Sequence, residues 1–149
     1  MASRRQPIGS LDPLIAGSQR RQVRERALGL LYEAEVKGIE TAELLAAQEL
    51  PLDPYAHTLV AGTAHHQGGI DARLEELSEG WTVARMPALD RAILRMASFE
   101  LSHSAEISVA VIINEAVELA HEYSTRGSAG FINGLLSQVA SIARPTEDA

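Results

Sequence analysis

The amino-acid sequence predicts an all-α protein: two small helical bundles, about seven helices in total, packed as one domain. Apolar residues recur three and four positions apart in segment after segment, which is the spacing of one helix face. Aromatic residues make up only 4% of the chain while Ala and Leu are abundant, a composition that favours helices over sheets. The length of 149 residues fits a single domain.

The first helix is expected to follow a flexible leader over residues 1–17, where prolines and glycines interrupt any periodicity. Ser18 is the expected N-cap, and Gly38 is expected to end the helix. Its buried stripe has the helical spacing of i, i+4, i+7, i+8 and i+11, and comprises Val23, Ala27, Leu30, Leu31 and Ala34.

Three short helices are expected next, over residues 41–48, 55–66 and 71–79. Thr41 is the expected cap of the first of these, and Gly68 with Gly69 should stop the second. The segment Gly80–Pro87 is expected to be a junction between the two bundles.

Three longer helices are expected in the second half. Their apolar stripes are Leu89, Ile93, Leu94, Met96, Ala97 and Leu101; Val109, Ile112, Ile113, Ala116, Val117 and Ala120; and Ile132, Leu135, Leu136 and Val139. Ser108 and Ser128 are the expected caps of the last two. The domain should therefore cover residues 18–143, followed by a flexible tail over residues 144–149.

Several classes of function are disfavoured, and we expect no catalysis, metal or cofactor. The chain has no cysteine, so it has neither disulfides nor thiolate metal ligands. His65 and His66 are adjacent and would diverge by about 100° on a helix. Ser128 lacks the glycine spacing and preceding strand of a nucleophile elbow. No apolar run approaches the roughly 20 residues of a membrane span, and we expect a cytoplasmic location.

The charge distribution is strongly uneven. The net charge is −7, yet residues 1–26 carry six arginines against Asp12 and Glu25, while the remainder carries seven basic and eighteen acidic residues. This asymmetry indicates either a basic binding patch on an acidic body or a merely solvated terminus. An acidic stripe later in the chain is expected to be a solvated face: Glu115, Glu118 and Glu122.

Four residues of the first helix indicate contact with RNA. Arg20, Arg21 and Arg24 lie three and four positions apart, so they should share one side of the helix. Tyr32, about three turns after Arg21, returns to nearly the same face. Basic side chains and an aromatic ring on one face suit single-stranded RNA, which offers phosphates and stackable bases. The alternative is that Tyr32 lies at the half-buried edge of the core.

The start of the last helix is a second candidate surface. Its free backbone amides attract anions, and Phe131 lies in its first turn. Gly130 and Gly134 leave a smooth strip beside Phe131 and Asn133. The alternative is that the glycines serve close helix packing.

Four segments in this order resemble the NusB family of transcription antitermination proteins. They are the arginine-rich stretch Arg20–Leu28 with Leu31–Glu33, the central stretch Gly80–Thr82 with Met86–Arg95, Ile113–Ala120, and Gly130–Leu136. The resemblance covers about residues 18–142, and the order and separation of the four segments make it far more specific than any one segment.

The resemblance implies an all-helical protein that binds boxA-type single-stranded RNA together with NusE, a ribosomal protein. It implies a role in antitermination on ribosomal RNA operons, with indirect links to other Nus factors and RNA polymerase. By position, the RNA-binding residues would be Arg20, Arg21, Arg24, Tyr32 and Phe131. The partner-binding residues would be Asp90 and Tyr123. Whether the free protein is a monomer or a homodimer stays open.

The chain departs from the family pattern in two places. Arg126 and Gly127 replace a loop that is acidic in many relatives, and Ser108 replaces a proline. Two other functions stay open: a non-catalytic RNA-binding module related to the regulatory domain of an RNA cytosine methyltransferase, and a structural helical adaptor. A helix-turn-helix DNA-binding protein is disfavoured because no short helix pair presents an outward basic recognition helix.

Overall fold

A computed structural model describes residues 13–146, with side chains from residue 19 onward. Within this range the protein has seven α-helices, one short 3-10 helix and no strand, as the sequence predicted. The α-helices are α1 Pro13–Lys37, α2 Thr41–Ala46, α3 Pro54–His65, α4 Gln67–Leu77, α5 Ala88–His103, α6 Val109–Tyr123 and α7 Ser128–Ala143. The 3-10 helix, Val83–Arg85, lies between α4 and α5.

The helices form two groups that share one core. Helix α1 packs on α2 and α3, and α5 packs on α6 and α7, with α4 against α5 and α7. Helices α1 and α3 also contact α5, so the two groups are joined along the middle of the molecule. The buried apolar side chains make a single continuous cluster that includes Leu30, Leu59, Leu94 and Leu136.

Helix α1 begins earlier than expected. It starts at Pro13, so Ser18 lies inside the helix and does not cap it. Proline suits the first helical position, because its ring fixes a helical φ and the amide that it lacks would have no partner there. Gly17 costs a helix about 1 kcal/mol, which the long helix tolerates. Of the expected leader, residues 1–12 lie outside the described residues.

The bounds of the next helices also differ in detail. Thr41 is the first residue of α2, and Glu40 precedes it without a side-chain capping bond. The carboxylate of Asp53 caps α3 by accepting the amide of Tyr55 at 2.8 Å. Gly68 and Gly69 do not end α3 as expected; they lie in the first turn of α4. Helix α3 ends at His65 and α4 begins at Gln67, so His66 rather than the glycines separates the two helices.

The crossing of α3 and α5 depends on a glycine. A Cβ added to Gly62 would overlap the ring of Phe99. This close approach brings Leu59 and Val60 into the shared core with Leu94.

The C-terminal end of α7 is tied to α5. The guanidinium of Arg144 donates to the carbonyls of Leu101 at 2.9 Å, Ile107 at 2.6 Å and Ser104 at 2.8 Å. These carbonyls lie at or just beyond the end of α5, where helical carbonyls lack partners. Arg144 therefore belongs to the packed domain, although the sequence assigned it to the tail. No helix within residues 13–146 is long and apolar enough to cross a membrane.

Candidate functional site

Arg24 does not share the exposed face predicted for it. Its side chain is only 2% exposed and forms a two-pronged ion pair with Glu100 of α5, with Nε–Oε2 at 2.9 Å and Nη2–Oε1 at 2.5 Å. Burial would lower the pKa of Arg24, but the Glu100 carboxylate outweighs it and raises that pKa. Tyr55 completes the cluster by donating to Glu100 at 3.0 Å. The expectation that Arg24 lies on the surface is therefore wrong.

Arg20 and Arg21 lie at the contact between α1 and α6, where both are partly exposed. The Nε of Arg21 donates to Glu115 at 3.2 Å, while Glu118 and Glu122 lie 3.9 Å from its other nitrogens. The bond to Glu115 is the main reason that the pKa of Arg21 is raised. The acidic stripe was expected to be solvated, which is wrong for the buried Glu115. These carboxylates partly neutralise the basic patch of α1.

The two predicted tyrosines are both exposed, Tyr32 by 38% and Tyr123 by 45%. The hydroxyl of Tyr123 donates to Glu25 of α1 at 3.0 Å, a bond that raises the pKa of Tyr123. The C-terminal end of α6 is thereby held beside α1, one turn beyond Arg21. Tyr32 makes no ion pair or ring contact among the described residues.

Asp90 holds together the ends of three helices. It is 3% exposed, and its carboxylate accepts the hydroxyls of Ser124 and Ser128, the latter at 2.9 Å. Ser128 was expected to cap α7, but its hydroxyl serves this cluster, and Gly127 takes the cap position with a φ of +94°. That left-handed backbone favours glycine. Asp90 was expected on the partner-facing surface. Its side chain is instead buried against the loop between α6 and α7.

Phe131 is half-buried on the flank of α7, and its ring lies 6.5 Å from the ring of Trp81. Trp81 is 54% exposed. A Cβ at Gly130 or Gly134 would contact no neighbour, so close helix packing does not explain these glycines. Gly130 lines an open groove between α6 and α7 together with Asn114 and Asn133.

A second ion-pair network joins α1 to α5. Glu35 of α1 binds Arg91 and lies 3.1 Å from a guanidinium nitrogen of Arg95. Arg95 also binds Asp71 of α4 through two bonds of 2.8 Å. Burial would raise the pKa of Glu35, but the two arginines outweigh it and lower that pKa. Arg91 in addition donates to the Met86 carbonyl at 2.7 Å, which fixes the start of α5.

The family model described as NusB matches residues 21–141, which is most of the chain. The chain belongs to the NusB family.

Solved structures of NusB proteins have the same fold. NusB of T. maritima is 28% identical, with a TM-score of 0.75 over 82% of this chain and 90% of that one. The solution structure of NusB from Aquifex aeolicus is 26% identical, with a TM-score of 0.68 over 87% and 94% of the two chains. A third similar chain, from a crystal structure of the antitermination factors NusB and NusE with dsRNA, is 23% identical. Its TM-score is 0.72 over 83% and 96% of the chains, and at that identity it shows the fold alone.

Within this NusB fold, three residues near the candidate surfaces were missed by sequence reasoning. Glu100 and Glu115 hold the arginines of α1, and Trp81 extends the aromatic surface of Phe131. A usable signal existed for both glutamates, because each lies within the apolar stripe of its helix. Glu115 follows Ile112 by three positions, and Glu100 follows Met96 by four and Ala97 by three, which is the spacing of one helix face. A carboxylate within such a stripe indicates a buried partner of opposite charge.

The histidines cluster more than their sequence positions suggested. His66 at the end of α3 stacks on His103 of α5 with ring centroids 4.2 Å apart, and His65 meets His66 edge-on at 4.9 Å. Burial and the two neighbouring imidazoles lower the pKa of His66. Among the described residues, no group of three or more potential ligands is arranged to hold a metal ion.

Proposed function

We propose that this chain is a non-catalytic RNA-binding transcription antitermination factor. It binds boxA-type single-stranded RNA together with NusE and supports transcription of ribosomal RNA operons in the cytoplasm. The observation that carries the proposal is the NusB family match over residues 21–141. A protein of the same fold, described as an antitermination factor, has been crystallised with NusE and dsRNA, which supports both kinds of partner.

The proposed RNA contacts are Arg20, Arg21, Tyr32 and Phe131. Arg21 is one-third exposed, and its links to Glu118 and Glu122 are long, at 3.9 Å. An RNA phosphate can replace such weak, solvated links, because exposed ion pairs contribute less than about 1 kcal/mol. Tyr32 presents a free ring for stacking. Arg24 is proposed to support this surface from beneath by joining α1 to α5.

The proposed NusE contact is Tyr123, with Asp90 as a positioning residue. Tyr123 is exposed, whereas the Asp90 carboxylate is occupied by Ser124 and Ser128. Asp90 therefore sets the course of the loop that follows Tyr123. Replacing Asp90 with Lys would bury an unpaired amine, so a loss of partner binding in that variant would reflect damage to the loop.

The RNA proposal is tested by titrating boxA-type RNA at two salt concentrations with Arg21→Ala, Tyr32→Ala and, as control, Lys37→Ala. Each lost phosphate contact lowers the salt slope for single-stranded RNA by about 0.7, so Arg21→Ala should weaken binding and flatten the slope. Tyr32→Ala should cost roughly 1–3 kcal/mol without changing the slope. Lys37, which pairs with Glu33 at the far end of α1, should have little effect. Unchanged affinity and slope in folded Arg21→Ala would place the RNA surface elsewhere.

The partner proposal is tested by NusE binding to Tyr123→Ala, with Leu50→Ala as control. Leu50 is an exposed apolar residue between α2 and α3, remote in the chain from α6. Tyr123→Ala should weaken NusE binding while Leu50→Ala should not. Equal NusE affinity in both variants and the wild type would exclude Tyr123 from the interface.

A further inference from the structure

Trp81 is an exposed aromatic side chain on a tightly fixed backbone. The Ser78 hydroxyl donates to the Trp81 carbonyl at 2.6 Å, and the Glu75 carboxylate accepts the Val83 amide at 2.9 Å. Arg91 donates to the carbonyls of Val83 and Ala84, both at 3.3 Å. Hydrogen bonds therefore hold the backbone at Trp81 and at the two residues that follow Thr82, although the Trp81 side chain itself is 54% exposed.

The Trp81 ring lies beside the Phe131 ring, tilted by 54° with centroids 6.5 Å apart. The two side chains come from different elements, the segment before the 3-10 helix and the first turn of α7. The half-buried Phe131 supports one side of Trp81 and leaves much of the indole open. This pair therefore forms an aromatic surface that folding has placed in position before any ligand binds.

Two arginines near this pair in the chain are exposed. Arg85 follows Trp81 by four positions, and Arg126 precedes Phe131 by five. Neither makes an ion pair or side-chain hydrogen bond with any residue from 13 to 146, unlike the arginines of α1. The acidic residues Glu76 and Glu79 lie at the other end of the segment, on the α4 side of Trp81. In the chain, the unpaired arginines thus follow Trp81 or precede Phe131, whereas these carboxylates precede Trp81.

We propose that Trp81 and Phe131 together form a base-stacking surface for single-stranded RNA, with Arg126 and Arg85 contacting the flanking phosphates. The proposal rests on the proposed RNA-binding function and adds Trp81, Arg85 and Arg126 to the contacts proposed there. Every base has a face that can stack on an aromatic ring, and phosphates complement unpaired arginines. The basic patch of α1 is partly neutralised by the glutamates of α6. A phosphate that binds Arg85 or Arg126 does not have to displace a carboxylate of the described residues.

The experiment uses Trp81 as its own reporter, because it is the only tryptophan in the chain. Binding of short single-stranded boxA-type RNA to the full chain is followed by tryptophan fluorescence and by the anisotropy of labelled RNA. Stacking should quench the tryptophan emission along the same titration curve as the anisotropy. Trp81→Ala should weaken RNA binding about 5- to 150-fold with the salt slope unchanged, and Trp81→Phe should retain most of the affinity. Arg126→Ala should lower the salt slope by about 0.7.

The controls separate this inference from the function on which it rests. Leu50→Ala, another exposed apolar residue, should bind RNA as the wild type does. If RNA binds and depends on Arg21 and Tyr32, but Trp81 emission does not change and Trp81→Ala keeps full affinity, only this inference is overturned. Loss of NusE binding with intact RNA binding in Trp81→Ala would make the surface a protein-docking site and also overturn it. Absence of RNA binding by the wild-type chain would overturn both.

Discussion

At the scale of single residues, the arginines of this chain differ mainly in how far their side chains are exposed to solvent. Arg24 is buried and fully engaged by Glu100, Arg21 is partly exposed and shared among three glutamates, and Arg126 is exposed without an ion pair in the described part of the chain. A guanidinium can exchange a carboxylate for a phosphate only where both are accessible. Accessibility therefore decides which arginines are available to RNA.

Replacement of Arg24 should affect stability more than any exposed arginine would. Arg24→Ala would leave the buried Glu100 carboxylate without its counter-charge, which costs about 3–5 kcal/mol. Urea unfolding followed by circular dichroism measures the loss, and Arg26→Ala, whose exposed side chain bonds Gln48, is the control. A stable Arg24→Ala variant with impaired RNA binding would instead mean that Arg24 contacts RNA directly.

At the scale of helices, two kinds of contact set how the elements cross. The α3–α5 crossing depends on shape, because Gly62 admits the Phe99 ring. The α1–α5 contact depends on charge as well, because Glu35 meets Arg91 and Arg95. The stability of the α3–α5 crossing should therefore depend on side-chain volume, and the stability of the α1–α5 contact should depend on pH.

Gly62→Ala should destabilise the protein by about 1–3 kcal/mol, since the added methyl group overpacks the contact with Phe99. Gly29→Ala is the matched control, because a Cβ there meets nothing within 4 Å. That control should be stabilising by up to about 1 kcal/mol, as expected for alanine replacing glycine inside a helix. Thermal unfolding of both variants tests the pair, and equal shifts in the same direction would contradict the proposed close approach.

The Glu35 contact should make part of the stability dependent on pH. The pKa of Glu35 is lowered in the folded protein, so its ionised form contributes stability above the ordinary glutamate pKa, and this contribution disappears as pH falls through the lowered value. Glu35→Gln should therefore be less stable than the wild type near neutral pH, and the gap should narrow in acid. Urea unfolding across this range measures the gap. A gap that is constant with pH would show that charge does not stabilise the contact.

At the scale of the whole molecule, one continuous core joins the two helical groups. Helix α5 lies at its centre, with Ile93 and Leu94 fully buried and contacts to α1, α3, α4, α6 and α7. A shared core of this kind favours unfolding as one cooperative unit.

Leu94→Ala should cost about 2–5 kcal/mol, because it leaves a cavity in this shared core. The loss should appear equally in far-UV circular dichroism, which follows all helices, and in the fluorescence of Trp81, whose ring lies beside Phe131 of α7. The wild-type far-UV spectrum should be strongly helical. Two separate transitions in these signals would show that the groups unfold independently.

The sequence by itself determined the fold class and the approximate place of every helix from α2 to α7. This follows because apolar spacing records which face of each helix is buried, whatever that face packs against. The sequence predicted helix boundaries less accurately than helix positions. Gly68 and Gly69 show why, because a glycine near a helix boundary can lie inside the helix or outside it. The sequence also named Tyr32, Tyr123 and Phe131 as candidate binding residues, and their roles stay predictions.

Only the tertiary structure decided which charged residues of those surfaces face solvent. Arg20 and Arg24 are one helical turn apart, yet Arg20 stays partly exposed while Arg24 is buried against a glutamate 76 positions away. Asp90 likewise turns inward because two serines from the α6–α7 loop meet it. The environment of a charged side chain is set by neighbours that are distant in the chain, and helical periodicity does not say which residues those neighbours are.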